Sequence, residues 1–119
     1  MPKDATPKDA TPKDATLPAG ALALLILRLL HSGPLHGYAI AQRIHLLSNQ
    51  QLSVEEGSLY PLLQKLLLNG WVRASWTRSE SGREVREYRL TRDGKRELEA
   101  ALARHRHLHQ AISLVLENA

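Results

Sequence analysis

The sequence predicts a mainly α-helical protein with one small β-hairpin. Leucine, isoleucine, valine and alanine supply most of the apolar side chains, with only two tryptophans, three tyrosines and no phenylalanine. Several segments repeat apolar residues at helical spacing. Before the last of them lie two short alternating segments that are joined by a glycine-containing turn. A length of 119 residues is enough for one ordinary domain.

The first two helices are expected between Leu17 and Leu47. The first ends near His31, and its apolar residues recur three and four positions apart, at Leu22, Leu25, Ile26, Leu29 and Leu30. The sequence Ser-Gly-Pro at 32–34 ends this helix, because glycine and proline interrupt helical hydrogen bonding. The second helix is expected from about His36 to Leu47. After a polar link, Leu52 is a candidate for a very short strand.

A third helix is indicated by the sequence SVEEGSLYPLLQKLLLNGW at 53–71. Ser53 and Glu56 have the spacing of a capping box, in which a serine hydroxyl and a later acid satisfy free backbone amides. Gly70 follows the last periodic residue, as glycine commonly does where a helix ends. One continuous leucine face is expected in the core, formed by Leu59, Leu62, Leu63, Leu66 and Leu67.

The opposite face of the third helix suits the major groove of a nucleic acid. It carries Gly57, Pro61, Gln64 and Leu68, flanked by Ser58 and Lys65. Ser58, Tyr60 and the amides of the first turn can donate hydrogen bonds to phosphate oxygens. Gln64 can pair with adenine edges, and Lys65 can pair with guanine or phosphate. An ordinary amphipathic core helix is the alternative, and the apolar Leu68 on this face favours it.

A basic hairpin follows, with strands expected at WVRASWT (71–77) and EVREYRL (84–90). Residues 71–96 hold eight basic and four acidic side chains, a surplus equal to the net charge of +4 of the whole protein. Three short helices followed by such a hairpin are the layout of a winged helix-turn-helix. A wing of this charge can lie against a phosphate backbone, although a solvated sheet face is the alternative.

A long last helix is expected from about Arg92 to Glu117, with Thr91 as its N-terminal cap. Side chains at alternating spacings of four and three form a seam, at Leu98, Leu102, His105, His109, Ile112 and Leu116. Leu108 widens this stripe beyond what one helix needs. We therefore expect the helix to pair with a second copy, giving a homodimer. Packing only against the first helix of the same chain is the alternative.

The sequence predicts no enzyme and no cofactor. It has no cysteine, so thiolate metal sites and cysteine nucleophiles are excluded. No paired carboxylates, Ser-His-Asp set or phosphate-binding glycine loop is recognisable. His105, His107 and His109 alternate in the last helix. A metal site or a pH response there stays open, but no acid or cysteine nearby completes a ligand set, and polar seam residues are the simpler interpretation.

The first sixteen residues contain three tandem copies of PKDAT and are expected to form a disordered tail, because they offer no large apolar group to bury. The apolar run AGALALLILRLL is too short for a membrane span and contains Arg28. The chain also lacks the pattern of a secretory signal peptide. We therefore expect a cytoplasmic protein with no membrane partner.

Four sequence blocks resemble the PadR-like winged-helix transcriptional regulators: GPLHGYAIAQRI, SVEEGSLYPLLQKL, NGWV and REYRLTRDGKREL. The resemblance covers roughly residues 20–100. It implies a winged helix-turn-helix domain at 17–91, a dimerisation helix at 92–119, and a dimeric repressor that binds double-stranded DNA. The helix beginning at GSLYP would enter the major groove, and the hairpin would act as the wing.

The resemblance also implies site residues. Ser58, Tyr60, Gln64 and Lys65 fall in the reading helix, while Tyr38 begins the helix before it. Arg83 and Arg86 fall at or beside the wing turn. Leu68 stands where a polar residue is more usual. A small-molecule inducer is compatible with the resemblance, although the last helix has no tryptophan for stacking on a flat ligand. A winged helix that binds proteins and no DNA is the alternative function.

Overall fold

The structure, a computed structural model, describes residues 17–119. The predicted PKDAT tail at 1–16 lies outside them. The elements in chain order are α1 (Ala19–Ser32), β1 (Leu35–His36), α2 (Gly37–Leu47), α3 (Glu56–Leu68), β2 (Val72–Arg78), β3 (Glu84–Leu90) and α4 (Arg92–Asn118). The predicted mainly helical fold with a small hairpin is confirmed. None of the helices formed by the described residues is both long and apolar enough to cross a membrane.

The core is aliphatic and lies where the four helices meet the sheet. Ile26 of α1, Ile40 of α2 and Leu63 of α3 are completely buried. Burying each such side chain stabilises the fold by about 1.5–3 kcal/mol. The predicted leucine face of α3 is confirmed, since Leu59 and Leu66 are also buried. This packing turns the opposite face of α3 outward.

The sheet has three antiparallel strands in the order β1-β3-β2. β2 and β3 form the predicted hairpin, with Val72 opposite Leu90 and Arg78 opposite Glu84. The third strand is β1, in which Leu35 pairs with Tyr88. The prediction of a short strand at Leu52 is wrong. Residues 35–36 form the strand instead, because their backbone lies along the free edge of β3.

The capping box predicted at Ser53 and Glu56 is also wrong. α3 begins at Glu56, its N-cap residue is Glu55, and no side chain bonds to the cap. The segment before it is tied to α2, since the Leu52 amide donates to Ser48 Oγ (2.9 Å) and the Leu52 carbonyl pairs with His45 Nδ1 (2.9 Å). These bonds keep the chain extended until Glu55 and delay the start of the helix.

Gly70 ends α3 as predicted. It adopts a positive φ of 77°, which a residue with a side chain rarely takes. The Gly70 amide donates to the Leu67 carbonyl, and the Trp71 amide donates to the Leu66 carbonyl. This pair of hydrogen bonds satisfies carbonyls that the end of the helix would leave free. The chain therefore turns at Gly70 directly into the hairpin.

The N-terminus of α4 is capped by Thr91, as predicted. The Gly94 amide donates to Thr91 Oγ1 (2.9 Å), and the same hydroxyl donates to the Gly70 carbonyl (2.7 Å). The Thr91 amide donates to the Trp71 carbonyl (3.1 Å). One residue thus joins the end of α3, the hairpin and the start of α4.

The predicted seam of α4 divides into two parts. Leu98 is only 3% exposed and belongs to the core of its own chain, and Leu102 packs against that core. The prediction that Leu98 lies on a dimerisation surface is therefore wrong, because packing on α1 uses its side chain. Beyond Leu102 the helix leaves the body, and Leu108, Ile112 and Leu116 are exposed. This free part, residues 103–118, is about 24 Å long.

Candidate nucleic-acid interface

The outward face of α3 is exposed along its whole length. Its members are Gly57, Ser58, Pro61, Gln64, Lys65 and Leu68. The helix continues through Pro61 without interruption. Small groups therefore stand at its first turn, an amide and a cation stand in the middle, and Leu68, 79% exposed, stands at its end. A helix that contacts base edges through its N-terminal half has this arrangement.

Ser58 and Lys65 lie on one flank of this face, seven residues apart. Lys65 lines a cavity of about 260 Å³ between α1, α3 and α4, together with Glu97 and Arg104. Glu97 accepts a hydrogen bond from Arg104 (2.7 Å), so the carboxylate that lines this cavity is already paired with a cation. The Lys65 side chain is exposed beside them, where it can reach a phosphate or a base edge.

Tyr60 lies on the other flank and packs against α2. A Cβ built on Gly37 would lie 2.8 Å from Tyr60 Cε1 and 2.9 Å from its hydroxyl oxygen. Only glycine at this position lets the phenol rest there. Tyr60 is nevertheless 41% exposed, and Tyr38, in the first turn of α2, is 61% exposed. The structure therefore leaves both predicted tyrosines accessible at the junction of α2 and α3.

The turn of the hairpin is held by local hydrogen bonds. The Ser79 amide donates to the Arg83 carbonyl (2.8 Å), and the Gly82 amide donates to the Ser79 carbonyl (2.9 Å). Arg78 Nη1 donates to the Gly82 carbonyl (2.9 Å). Gly82 has a φ of 85°, which favours glycine. Arg83 projects from a turn of fixed shape, and its side chain is exposed.

Arg86 is paired across the hairpin with Trp76, a residue that the sequence did not assign to the site. The Arg86 guanidinium carbon lies 6.0 Å from the centre of the Trp76 ring, within range of a cation–π interaction. Trp76 is 66% exposed. It alternates with Val72 and Ala74 along β2, but this end of the strand extends past the core. The available signal in the sequence was a tryptophan between the arginines of a basic strand.

The wing cations are little neutralised by neighbouring acids. Among residues 17–119, the ion pairs join Arg89 to Glu87, Arg96 to Asp93 and Arg104 to Glu97. Arg83 and Arg86 take no part in them. Burial raises the pKa of the Tyr88 phenol above its ordinary value, Arg86 opposes this rise, and Tyr60 adds to it. Tyr60 and Arg86 therefore both act on the ionisation of Tyr88.

Three helices, of which the third has an exposed outward face, are followed by a basic wing. This arrangement defines a winged-helix DNA-binding protein. Comparison with known proteins agrees with this class. The profile of the transcriptional regulator PadR-like family matches residues 26–100, well over half of the chain. The chain therefore belongs to the PadR-like family of DNA-binding transcriptional regulators.

Individual proteins are also similar to this chain. A structure from Streptococcus mutans UA159 is 27% identical, with a TM-score of 0.77 over 88% of this chain and 94% of that one. A PadR family transcriptional regulator from Eggerthella lenta DSM 2243 is 29% identical, with a TM-score of 0.71 over 84% and 85%. An uncharacterised protein of Lysinibacillus sphaericus is 29% identical over 98 residues, which cover 82% of this chain and 90% of the relative.

Proposed function

We propose that this regulator is a repressor that binds a palindromic operator as a homodimer. α3 enters the major groove, and the hairpin lies on the adjoining phosphate backbone. One observation carries the proposal: the outward face of α3, from Gly57 to Lys65, is exposed beside the basic wing. Repression follows from occupancy, because a dimer bound across a promoter excludes other proteins from the same stretch of DNA.

The proposed contacts follow from the side chains. Ser58, Tyr60 and Tyr38 donate to phosphate oxygens, and the exposed Arg83 and Arg86 attract the backbone. Gln64 reaches base edges, where an amide pairs with adenine, and Lys65 reaches guanine or a phosphate. Contacts to phosphate fix the position on the duplex, whereas contacts to bases select its sequence.

The homodimer is proposed from the free part of α4. Leu108 and Ile112 are 59% and 49% exposed, with Leu116 further along the same helix. A second copy of this helix would cover them, together with His105. A twofold axis there would repeat α3, and the two copies must lie about 34 Å apart to enter successive major grooves. A palindromic operator follows from that symmetry.

Selection of bound fragments from the source genome tests the proposal most directly. The full chain should retain a small set of fragments that share an inverted repeat, at moderate salt and with excess competitor DNA. In transcription in vitro from such a fragment, added protein should lower the amount of transcript. A chain that binds no fragment above competitor, or that raises transcription, would contradict the proposed repressor.

Charge variants test the two contact regions. Each phosphate contact contributes about 0.9 to the slope of log affinity against log salt concentration. We therefore expect Lys65→Ala and Arg83→Ala to flatten that slope, by about 1.8 for a dimer that loses two contacts. Arg106→Ala is the matched control, since it removes one exposed cation from the free part of α4. If all three variants flattened the slope equally, the salt dependence would reflect the net charge of the protein and not contacts made by Lys65 and Arg83.

Two leucines of equal exposure test the dimer. Leu108 and Leu114 are both 59% exposed, but helical spacing places them about 120° apart around α4. We expect Leu108→Asp to dissociate the dimer in sedimentation equilibrium, since it would bury a charge in the seam. Leu114→Asp should leave the dimer intact. If Leu114→Asp dissociated the dimer and Leu108→Asp did not, the proposed seam would be contradicted.

A protein-interaction module is the second candidate, and exposed apolar residues favour it. Leu68 on the outward face of α3 is 79% exposed, and Leu46 and Leu47 at the end of α2 are 62% and 71% exposed. Such side chains suit a protein partner better than a phosphate backbone. This function would be favoured if the chain bound no duplex but did bind a protein partner, and if Leu68→Glu abolished that binding.

A further inference from the structure

Two histidines of α4 present their rings together. His105 and His109 are one helical turn apart, their ring centres are 6.4 Å apart, and the ring planes differ by 14°. Both side chains are exposed. Histidines at this spacing on one helix face can hold a zinc-class cation through one nitrogen from each imidazole.

The pair lies on the same stripe of α4 as the apolar seam. Spacings of three and four residues lead from Leu102, which packs against the core, through the two histidines to Ile112 and Leu116. If a second copy covers this stripe, both imidazoles leave bulk water. A buried imidazole needs partners for its nitrogens, because an unsatisfied buried polar group is costly. Two polar rings in an apolar seam therefore require an explanation.

One chain does not complete a metal site around them. Within the part of the protein that the structure describes, no group of three or more histidine, cysteine, aspartate or glutamate residues is placed to hold a metal ion. A structural zinc site normally has four ligands in a tetrahedron. A twofold dimer repeats every residue of its interface. Two imidazoles from each copy would supply the four nitrogens that a single chain lacks.

We propose that His105 and His109 of two copies together hold one divalent zinc-class cation, which ties the free parts of α4 to each other. This proposal rests on the homodimer of the proposed function. The charge around the pair permits it, since the guanidinium of Arg104 is paired with Glu97 (2.7 Å). Around the helix, Arg106 lies about 100° from His105 and about 60° from His109, and its long side chain can extend from the edge of the stripe into water. Metal availability would then set the concentration at which the regulator dimerises.

The test is sedimentation equilibrium of the full chain, first in chelator and then with Zn²⁺ alone added. A ligand that binds only the dimer, at ten times its dissociation constant, tightens dimerisation about elevenfold. We expect that shift, its reversal by chelator, and one bound zinc for every two chains. His105→Ala and His109→Ala should each abolish the shift. His107→Ala is the matched control, because helical spacing places it on another face, and it should retain the shift.

Several outcomes would overturn the proposal. One zinc for each chain with no effect on dimerisation would indicate an isolated surface pair. Loss of the zinc effect in the His107 variant would indicate a different ligand set. An unchanged dimer constant would refute it outright. Duplex binding measured in chelator separates the two proposals, because the repressor can bind its operator there even if the metal site does not exist.

Discussion

The ring of Tyr60 rests on Gly37, so that the first residue of α2 positions a side chain of α3. A Cβ on Gly37 would lie 2.8 Å from the ring, and the phenol would have to move. We expect Gly37→Ala to weaken duplex binding about fivefold, the effect of one lost hydrogen bond of about 1 kcal/mol. The free energy of unfolding should change little, because the half-exposed ring can move into solvent.

A double-mutant cycle checks that Gly37 acts through Tyr60. The variant that combines Gly37→Ala with Tyr60→Ala should bind the duplex as well as Tyr60→Ala does, because both changes remove the same contact. Additive losses of affinity in the double variant would show that Gly37 acts through some other neighbour.

Gly57 should show stability and DNA binding moving in opposite directions. A Cβ there meets no atom within 4 Å, so Gly57→Ala should stabilise α3 by about 0.5 kcal/mol through helix propensity. The added methyl group stands on the face that approaches the duplex, and affinity should fall. Gly20→Ala in α1, which also meets no atom within 4 Å, should gain similar stability and keep full affinity. Unchanged duplex binding by Gly57→Ala would contradict a close approach of this helix turn.

Thr91 should matter for stability through its hydroxyl group. Thr91→Ala removes the cap of the Gly94 amide and the hydrogen bond to the Gly70 carbonyl. We expect a loss of about 1–2 kcal/mol in the free energy of unfolding, measured with urea. Thr91→Ser keeps the hydroxyl group and should stay within about 0.5 kcal/mol of the parent chain. A serine variant as unstable as the alanine variant would assign the effect to the methyl group.

Stability should fall at alkaline pH because of Tyr88. Burial raises the pKa of this phenol in the folded state above the value of 10.0 for an exposed tyrosine. The unfolded chain therefore loses this proton first as the pH rises, and deprotonation favours unfolding. The contribution of Tyr88 is fully present below pH 10 and is lost as the pH rises through the higher, folded pKa.

Phenylalanine variants check this pH dependence. Between about pH 9 and 11, urea unfolding of Tyr88→Phe should show a smaller fall in stability than the parent chain, because its buried ring cannot ionise. Tyr38→Phe removes an exposed phenol from α2, and its stability should fall with pH as steeply as that of the parent chain. An equally steep fall in all three proteins would assign the pH dependence to other groups.

Much of the fold was predictable because its signals are local. The leucine face of α3 follows from helical spacing, and Gly70 and Thr91 mark helix ends by their own conformation and hydrogen bonding. The hairpin follows from alternation and from the glycine at its turn. The exposed face of α3, including Gln64, follows in turn, because burying one side of a helix presents the other side to solvent.

The candidate site was predicted less completely. The sequence placed Lys65 and Tyr60 on one helix, but it did not show that Lys65 borders α4 while Tyr60 rests on Gly37. Nor did it assign Trp76 to the candidate site, since alternation cannot tell where a strand leaves the core. These placements depend on residues far apart in the chain that tertiary packing brings together.

The amino-acid sequence by itself determined where most helices and strands lie and which face of α3 is apolar, since those depend on neighbours three or four residues away. Tertiary structure decided that Leu35 and His36 form the third strand, that α3 begins only at Glu56, and that Leu98 belongs to the core. The strand needs the edge of β3 and the burial of Leu98 needs α1, both distant in sequence. The start of α3 depends on side chains at the end of α2, Ser48 and His45, which hold Leu52. Pairing and burial are properties of the assembled chain, and no local pattern encodes them fully.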